Sequence, residues 1–177
     1  AADTLNVSNY VATGTFNTKA SDVIRLGNNA NISGVDAEGD GVGTALDATN
    51  LTIDNNASVL MTADQHNGFN GTITAEGTET ISLTSAGTLT GYAAVESYNL
   101  ATAGGSTFTL GNAAQSVTTG TGEGAAADTL NVSSYVATGT FNTKTSDTIQ
   151  LGNGANISSV DAEGDGVGTA LDATNLT

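Results

Sequence analysis

The chain has 177 residues, of which 18 are acidic and three are basic, so its formal charge is −15 at pH 7. Nucleic acid and anionic membranes are poor partners for such a chain, because binding them requires clustered Lys and Arg. The absence of Cys excludes disulfides and Cys-type zinc sites. No apolar run approaches the length of about 18 residues that a membrane span requires, so none is expected.

Short segments in which apolar and polar residues alternate predict strands along the whole chain, because a period of two is the strand signature. Gly, Asn and Asp-Gly separate them, as expected of turns. The only candidate helical turn lies in 43–50, and His66 is expected in an exposed loop. In chain order the predicted strands are Thr4–Val7, Gly14–Asn17, Val23–Leu26, Asn31–Ser33, Leu51–Ile53, Val59–Met61, Thr72–Thr74, Thr80–Leu83, Thr88–Thr90, Tyr98–Leu100, Thr107–Leu110 and Ser116–Thr118.

The spacing of these segments predicts an all-β, parallel β-solenoid of the β-helix or β-roll kind. Their centres are often about eight to eleven residues apart, so two or three of them make a coil of roughly 20–25 residues. One Ile, Leu, Val or Phe per strand fills the thin interior of such a coil. Thr, Ser and Asn suit the outward positions of an exposed sheet.

A long internal repeat sets the domain organisation. Residues 126–177 repeat residues 1–52, and 46 of the 52 aligned positions are identical. We therefore interpret residues 1–125 as one full repeat of five or six coils, and residues 126–177 as the start of the next repeat. A fixed period of this kind indicates a tandem array, which supplies length and surface.

Two stretches carry a resemblance to known families. Residues 120–132, GTGEGAAADTLNV, resemble a degenerate glycine- and aspartate-rich nonapeptide of calcium-binding β-rolls, with Asp128 followed by Leu130. Residues 95–100, 106–110 and 114–117 resemble coils of bacterial S-layer proteins and giant secreted surface proteins. The resemblance implies a secreted bacterial surface solenoid that calcium stabilises.

The densest acidic cluster predicts a calcium-binding turn, because carboxylates at alternate positions with Gly between them can wrap around one ion. A solvated acidic loop is the alternative. An EF-hand is excluded, since position 47 is Asp where that loop has Glu and no helices flank it. The candidate ligands are Asp36, Glu38 and Asp40, with Asp161, Glu163 and Asp165 in the second copy.

A second set of acids directly precedes apolar pairs and is expected at the corners of the coils. These residues are Asp3, Asp22, Glu79 and Asp128. Carboxylates stacked along an edge repel one another unless a cation lies between them, so Asp3, Asp22 and Asp128 are further candidates for calcium. Water and spacing are the other solution.

The composition argues against an enzyme. Three basic residues cannot line the cleft of a polysaccharide lyase, and four Phe and four Tyr offer few platforms for a glycosidase. The expected role is a rod-like structural element of a bacterial S-layer, a filament or biofilm matrix fibre, or a large adhesin. Its partners are further copies of the repeat and, for an adhesin, cell-surface polysaccharide. An ice-binding or ligand-binding solenoid module is the alternative, because Thr-x-Thr triplets recur.

Overall fold

The computed structural model describes residues 1–162, 168 and 170–177. The fold is an all-β parallel solenoid with turns of roughly 21 residues, which confirms the predicted architecture and coil length. Its elements are β1 (Thr4–Val7), β2 (Val11–Thr15), β3 (Val23–Leu26), β4 (Asn31–Asp36), β5 (Asn50–Ile53), β6 (Ser58–Met61), α1 (Ala63–Gly68), β7 (Ile73–Ala75), β8 (Thr80–Leu83), β9 (Thr88–Thr90), β10 (Ser97–Asn99), β11 (Thr107–Thr109), β12 (Ser116–Thr118), β13 (Thr129–Ser133), β14 (Thr140–Asn142), β15 (Thr148–Leu151), β16 (Asp161–Ala162) and β17 (Asn175–Leu176).

The chain divides into two compact units, Ala1–Thr84 and Ser85–Thr177. In the first unit, one face of the coils is a parallel sheet in the order β1-β3-β5-β7, and a second face has the order β2-β4-β6-β8. Strands two apart in sequence therefore pair, because each coil lays one strand on each face. In the second unit the corresponding orders are β9-β11-β13-β15-β17 and β10-β12-β14-β16.

The register of the paired strands places an apolar residue of each coil directly against an apolar residue of the next coil. In the first unit Ile24 pairs with Leu51, which in turn pairs with Ile73. In the second unit the column is longer and consists of Leu89, Phe108, Leu130, Ile149 and Leu176. Because successive side chains alternate between the two faces of a strand, the inward residues build the core while their polar neighbours face outward. Leu176, at the end of its column, is 64% exposed and lies outside this core.

Aromatic side chains fill part of the core of the second unit. Tyr98 pairs with Val117, and Val117 with Phe141, on the face opposite the Phe108 column. The rings of Tyr98 and Phe108 lie 4.7 Å apart, centroid to centroid, at a tilt of 50°. This tilted packing is a favourable geometry for aromatic pairs.

The helix lies where a loop was expected from the sequence, and the predicted helical turn in 43–50 is not a helix, since its last residue already belongs to β5. Helix α1 starts after Thr62, whose hydroxyl accepts the N–H of Gln65 while the Gln65 side chain accepts the N–H of Thr62. This reciprocal pair is a capping box, and it stabilises the helix end. The T-x-x-Q spacing of Thr62 and Gln65 was the signal in the sequence that could have predicted this helix start.

Candidate functional site

A group of buried, hydrogen-bonded polar residues lies at a coil corner of the second unit. The side chain of Asp128 is fully buried, and its two carboxylate oxygens accept the backbone N–H groups of Ser106 and Gly120, each at 2.7 Å. One coil further on, Asp147 accepts the N–H of Asp128 at 2.8 Å. Ser106, Asp128 and Asp147 thus form a ladder that joins three successive coils.

Lys144 supplies the positive charge that this ladder needs. Its ammonium lies 2.7 Å from Asp147 Oδ1 and 3.3 Å from Asp128 Oδ2. Burial by itself lowers the pKa of Lys144, but the hydrogen bond to Asp147 and the charge of Asp128 outweigh it and raise that pKa. Burial likewise raises the pKa of Asp147, and the hydrogen bonds from Lys144 more than reverse the effect and lower it. Both groups are therefore charged at neutral pH.

The first copy of the repeat holds the same residues in a different setting. Asp3 and Lys19 correspond to Asp128 and Lys144, yet their side chains are 78% and 72% exposed and lie 4.0 Å apart. Asp22 keeps the role of Asp147, because it accepts the N–H groups of Asp3 and Lys19 at 3.0 Å each. The hydrogen bond from Asp3, which is the largest effect, lowers the pKa of Asp22.

These positions include three that the sequence analysis assigned to calcium. Corner placement of Asp3, Asp22 and Asp128 is observed, and the cation between Asp128 and the next carboxylate is the protein's own ammonium. Lys144 was missed as a partner because 16 residues separate it from Asp128, and only the coil brings the two together. Calcium at these three aspartates stays a prediction.

Glu79, the fourth acid of the corner set, is completely buried. Its Oε1 accepts the N–H of Asn56 at 3.1 Å, so it ties its own turn to the turn of the coil before. It therefore acts as a bridge between two coils of the first unit.

The acidic loop of the first copy is organised around Asp36. Its Oδ1 accepts the N–H of Gly39 at 3.0 Å and the N–H of Gly41 at 2.9 Å. Glu38 (φ 54°) and Gly39 (φ 94°) take left-handed conformations that allow the loop to close. Glu38 and Asp40 are exposed. The loop is thus held by one carboxylate, with the other two directed to its surface.

The second copy of the loop is described only at its start. Asp161 lies in β16 and is half-buried. Glu163 and Asp165 lie outside the described residues, so their assignment to calcium stays a prediction. Within the described part of the chain, no three His, Asp or Glu side chains converge as a metal site would require.

His66 is buried, contrary to the expectation of an exposed loop histidine. It is 1% exposed within α1. Burial lowers its pKa to about 4, and a hydrogen bond with the Asn67 side chain opposes this effect in part. His66 is therefore neutral at pH 7.

Outward threonines form a column on one sheet of the second unit. Thr88, Thr107, Thr129 and Thr148 are in register on β9, β11, β13 and β15. A parallel column begins with Thr90 and Thr109 and changes to Asn131 and Gln150. The Thr-x-Thr triplet is therefore in register on two neighbouring strands and ends at the third.

Across the part of the chain that the structure describes, no helix is long and apolar enough to cross a membrane. Comparison with protein-family models, with curated proteins and with solved structures finds no match to this chain. The assignment of function therefore depends on the coil architecture and on the charges and contacts described above.

Proposed function

We propose that this chain is a structural repeat module of a bacterial surface protein, in which tandem 125-residue repeats build one continuous solenoid. The observation that supports the proposal most directly is the start of the second copy. Strands β13 and β14 pair in parallel with β11 and β12, as any other successive coils do. Because the junction uses ordinary coil stacking, further repeats can be added in the same way.

The charge and composition of the repeat support a place outside the cell. Residues 1–125 contain 12 acidic and two basic residues, so each added repeat contributes a charge of −10. Such an array repels its neighbours and stays dispersed unless cations screen it. The absence of Cys and the resemblance of residues 95–117 to coils of surface proteins agree with secretion.

Calcium is the cation we propose for this surface. The loop at Asp36 presents the carboxylates of Glu38 and Asp40 to solvent, and carboxylate oxygens are among the ligands that calcium prefers. Bound calcium would reduce repulsion between coils. The same proposal assigns no reaction to the chain, since its three basic residues cannot form a cleft for acidic sugars.

The experiment compares covalent chains of one, two, three and four repeats by small-angle scattering and electron microscopy. At roughly 21 residues a turn, 125 residues make about six turns. Strands of neighbouring turns lie about 4.8 Å apart, so each repeat should add about 29 Å of length. Repeats that behave as separate beads, with no constant increment, would refute the proposal.

Three versions of the role differ in assembly. An adhesin extender should remain monomeric with calcium, whereas an S-layer lattice or a matrix filament should assemble when calcium is added. Electron micrographs of the purified chain with and without calcium separate the extender from the other two. A lattice is then distinguished from a filament by its two-dimensional order.

The threonine columns favour one alternative function, binding of ice by an adhesin module. Thr88 is in register with Thr107, and Thr90 with Thr109, on two neighbouring strands. Asn131 and Gln150 interrupt this pattern, which is why the structural role is preferred. Thermal hysteresis of the purified chain, abolished by Thr107→Lys, would favour ice binding over the structural role.

A further inference from the structure

One outer face of the second unit carries no charge, in a chain whose formal charge is −15. This face is the outward side of the sheet β9-β11-β13-β15-β17, and its five described strands contain no Asp, Glu, Lys or Arg. By comparison, charged residues make up about 25–35% of a well-behaved soluble surface. From β9 to β15 the outward side chains are exposed or half-buried, and we call them the neutral face: Thr88, Thr90, Thr107, Thr109, Thr129, Asn131, Thr148 and Gln150.

Two of the six differences between the copies of the repeat fall on the neutral face. Thr148 and Gln150 occupy the positions that Val23 and Arg25 occupy in the first copy. Arg25 is the only charged residue in the four described strands of the sheet β1-β3-β5-β7. The second copy thus has a hydroxyl in place of an apolar side chain and an amide in place of a charge, which leaves the face polar and neutral from β9 to β15.

The borders of the neutral face add little charge. On the side where its strands begin, Asp128 and Asp147 are buried and share the ammonium of Lys144. On the side where its strands end, the turn after β9 contains Glu96, and the next three turns contain no charged residue: 110–115, 134–139 and 152–160. Another polyanionic chain can therefore approach this face with less Coulomb repulsion than it would meet at the acidic loops.

The neutral face repeats itself along the sheet, which favours a second copy of this chain as its partner. Hydroxyl groups in register recur there at the spacing of neighbouring strands, about 4.8 Å. They belong to Thr88, Thr107, Thr129 and Thr148. The same face of a second copy has the same spacing, so the polar groups of the two copies can meet in register over many strands. Hydroxyls and side-chain amides both donate and accept hydrogen bonds, so identical residues can pair with one another.

We propose that the neutral face binds the neutral face of a second copy of this chain, so that two solenoids associate side by side. Such a contact is isologous, because both partners contribute the same patch. The proposal rests on the structural role proposed above and deepens it, since it names the surface through which separate arrays of repeats join laterally.

The area of the neutral face decides how many repeats such a contact needs. With strands about 4.8 Å apart and about 3.3 Å per residue, a sheet of five strands with three residues each covers about 240 Å². A stable interface buries about 1,000 Å² or more in total, which is about 500 Å² on each partner. One copy of the neutral face is therefore too small to hold two chains together, whereas three or four copies in a tandem chain exceed this limit.

The test measures the mass of the tandem chains described above, built so that every repeat has the second-copy residues Thr148 and Gln150. Sedimentation equilibrium is run with a chelator in about 0.15 M salt, where exposed charges more than about 8 Å apart are largely screened. We expect the chain of one repeat to remain a monomer and the chain of four repeats to dimerise at micromolar concentrations, because linked contacts reinforce one another. Four-repeat chains that stay monomeric at millimolar concentrations overturn the proposal.

Matched variants locate the contact. Thr107→Asp in every repeat places like charges in the contact and should lower the association constant at least about tenfold. Thr118→Asp adds the same charge on β12 of the other sheet, where Thr118 is half-buried as Thr107 is, and should leave the constant nearly unchanged. Equal losses in the two variants would refute the proposal. Retention of monomeric chains on dextran beads, lost in Thr107→Asp, would make the face a glycan site and would overturn it too.

A cross-linking arm uses the 177-residue chain itself and keeps the proposal testable if Thr107→Asp unfolds the protein. The protein has no Cys, so Thr129→Cys introduces a single thiol on β13, the middle strand of the sheet. Oxidation should give covalent dimers at least about tenfold faster than in the control Thr118→Cys, because face-to-face encounters raise the local concentration of thiols. Equal rates contradict the proposal. The length added per repeat is measured by scattering and does not depend on lateral pairing, so failure here leaves the structural role standing.

Discussion

At the scale of single residues, the burial and the hydrogen-bond partners of each acid depend on what the neighbouring coil contributes. Asp3 and Asp128 have the same flanking sequence, but only Asp128 receives N–H groups from a preceding coil. Lys144 correspondingly lies between the buried carboxylates of Asp128 and Asp147, whereas the side chain of Lys19 is exposed to solvent. A buried carboxylate without its partner is strongly destabilising, whereas an exposed pair contributes little.

Replacing Lys144 by Met should lower the free energy of unfolding by about 3 kcal/mol, because Asp128 and Asp147 lose their counter-charge. The matched variant Lys19→Met should lower it by less than about 1 kcal/mol. The pKa of Asp147 is held below its ordinary value of 3.8, so its contribution is present above pH 3.8 and is lost as pH falls through the lower folded value. Urea unfolding at pH 7 and pH 3 checks both effects. Equal losses in the two lysine variants would contradict the burial argument.

His66 should make the fold sensitive to mild acid. Its pKa is about 4 in the folded chain against an ordinary value of 6.5, so the unfolded chain binds the proton more readily between these values. Stability should therefore decrease as pH falls from 6.5 to 4, by about 3 kcal/mol in total. In His66→Gln the slope over this window should flatten. Thermal unfolding of both chains at several pH values measures it, and parallel slopes would rule out His66 as the cause.

At the scale of elements, the contacts between coils decide where a strand lies. The predicted strand Gly14–Asn17 is found as Val11–Thr15 in β2, whereas the identical segment of the second copy forms β14 at Thr140–Asn142. Strand β14 has partners on both sides, and β2 has β4 alone among the described strands. Pairing, which local sequence does not encode, therefore shifts the boundaries of the strand.

Buried glutamines connect turns to the coils beside them. Gln115 is fully buried, donates to the carbonyls of Tyr92 and Val95 and accepts the N–H of Gly111. Gln65 similarly donates to Ile32 O at 2.8 Å. These side chains satisfy backbone groups that a tight turn leaves unpaired. Neither burial was predicted, because the T-x-x-Q spacing that contains Gln65 indicates a helix start and carries no signal of burial, and Gln115 lies in no motif.

Close approach of two coils should make Gly139 intolerant of a side chain. A Cβ at this position would collide with the backbone carbonyl of Gln115, whereas a Cβ at Gly14 would meet nothing. Gly139→Ala should therefore lower the free energy of unfolding by about 3 kcal/mol, as overpacking does. Gly14→Ala should cost about 1 kcal/mol, for its positive φ alone. Chemical denaturation of the two variants decides the matter, and a larger loss in Gly14→Ala would disprove the packing argument.

At the scale of the whole molecule, the charge of −15 opposes compaction. Asp3 lies against Asp22, and Asp128 against Asp147, in neighbouring coils. The basic residues of the chain are Lys19, Arg25 and Lys144. Arg25 forms an exposed ion pair in the first unit, in which its Nε lies 2.7 Å from Asp54 Oδ1. Cations from solution must screen the remainder, which is the physical reason for proposing calcium.

Calcium should raise the melting temperature more than sodium chloride of equal ionic strength, because a bound ion stabilises the folded state in addition to screening. The triple variant Asp36→Asn/Glu38→Gln/Asp40→Asn should lose part of this difference. Asp64→Asn/Glu76→Gln/Glu123→Gln is the control with the same change of charge. Differential scanning calorimetry in matched buffers measures the effect. If calcium and sodium act alike, the stabilisation is screening alone.

The sequence by itself determined the coil architecture. Alternation over three to five residues, turn residues between the strands and one aliphatic residue per strand are local properties, and a solenoid is built from contacts between coils that repeat them. The corner placement of Asp3, Asp22 and Asp128 followed from the same pattern. Only the tertiary structure decided three other properties. These are which of the two near-identical segments is buried, which carboxylates Lys144 contacts, and the burial of His66. The reason is that these properties depend on the coil stacked against a residue, and the residue's own neighbours in sequence do not specify that coil.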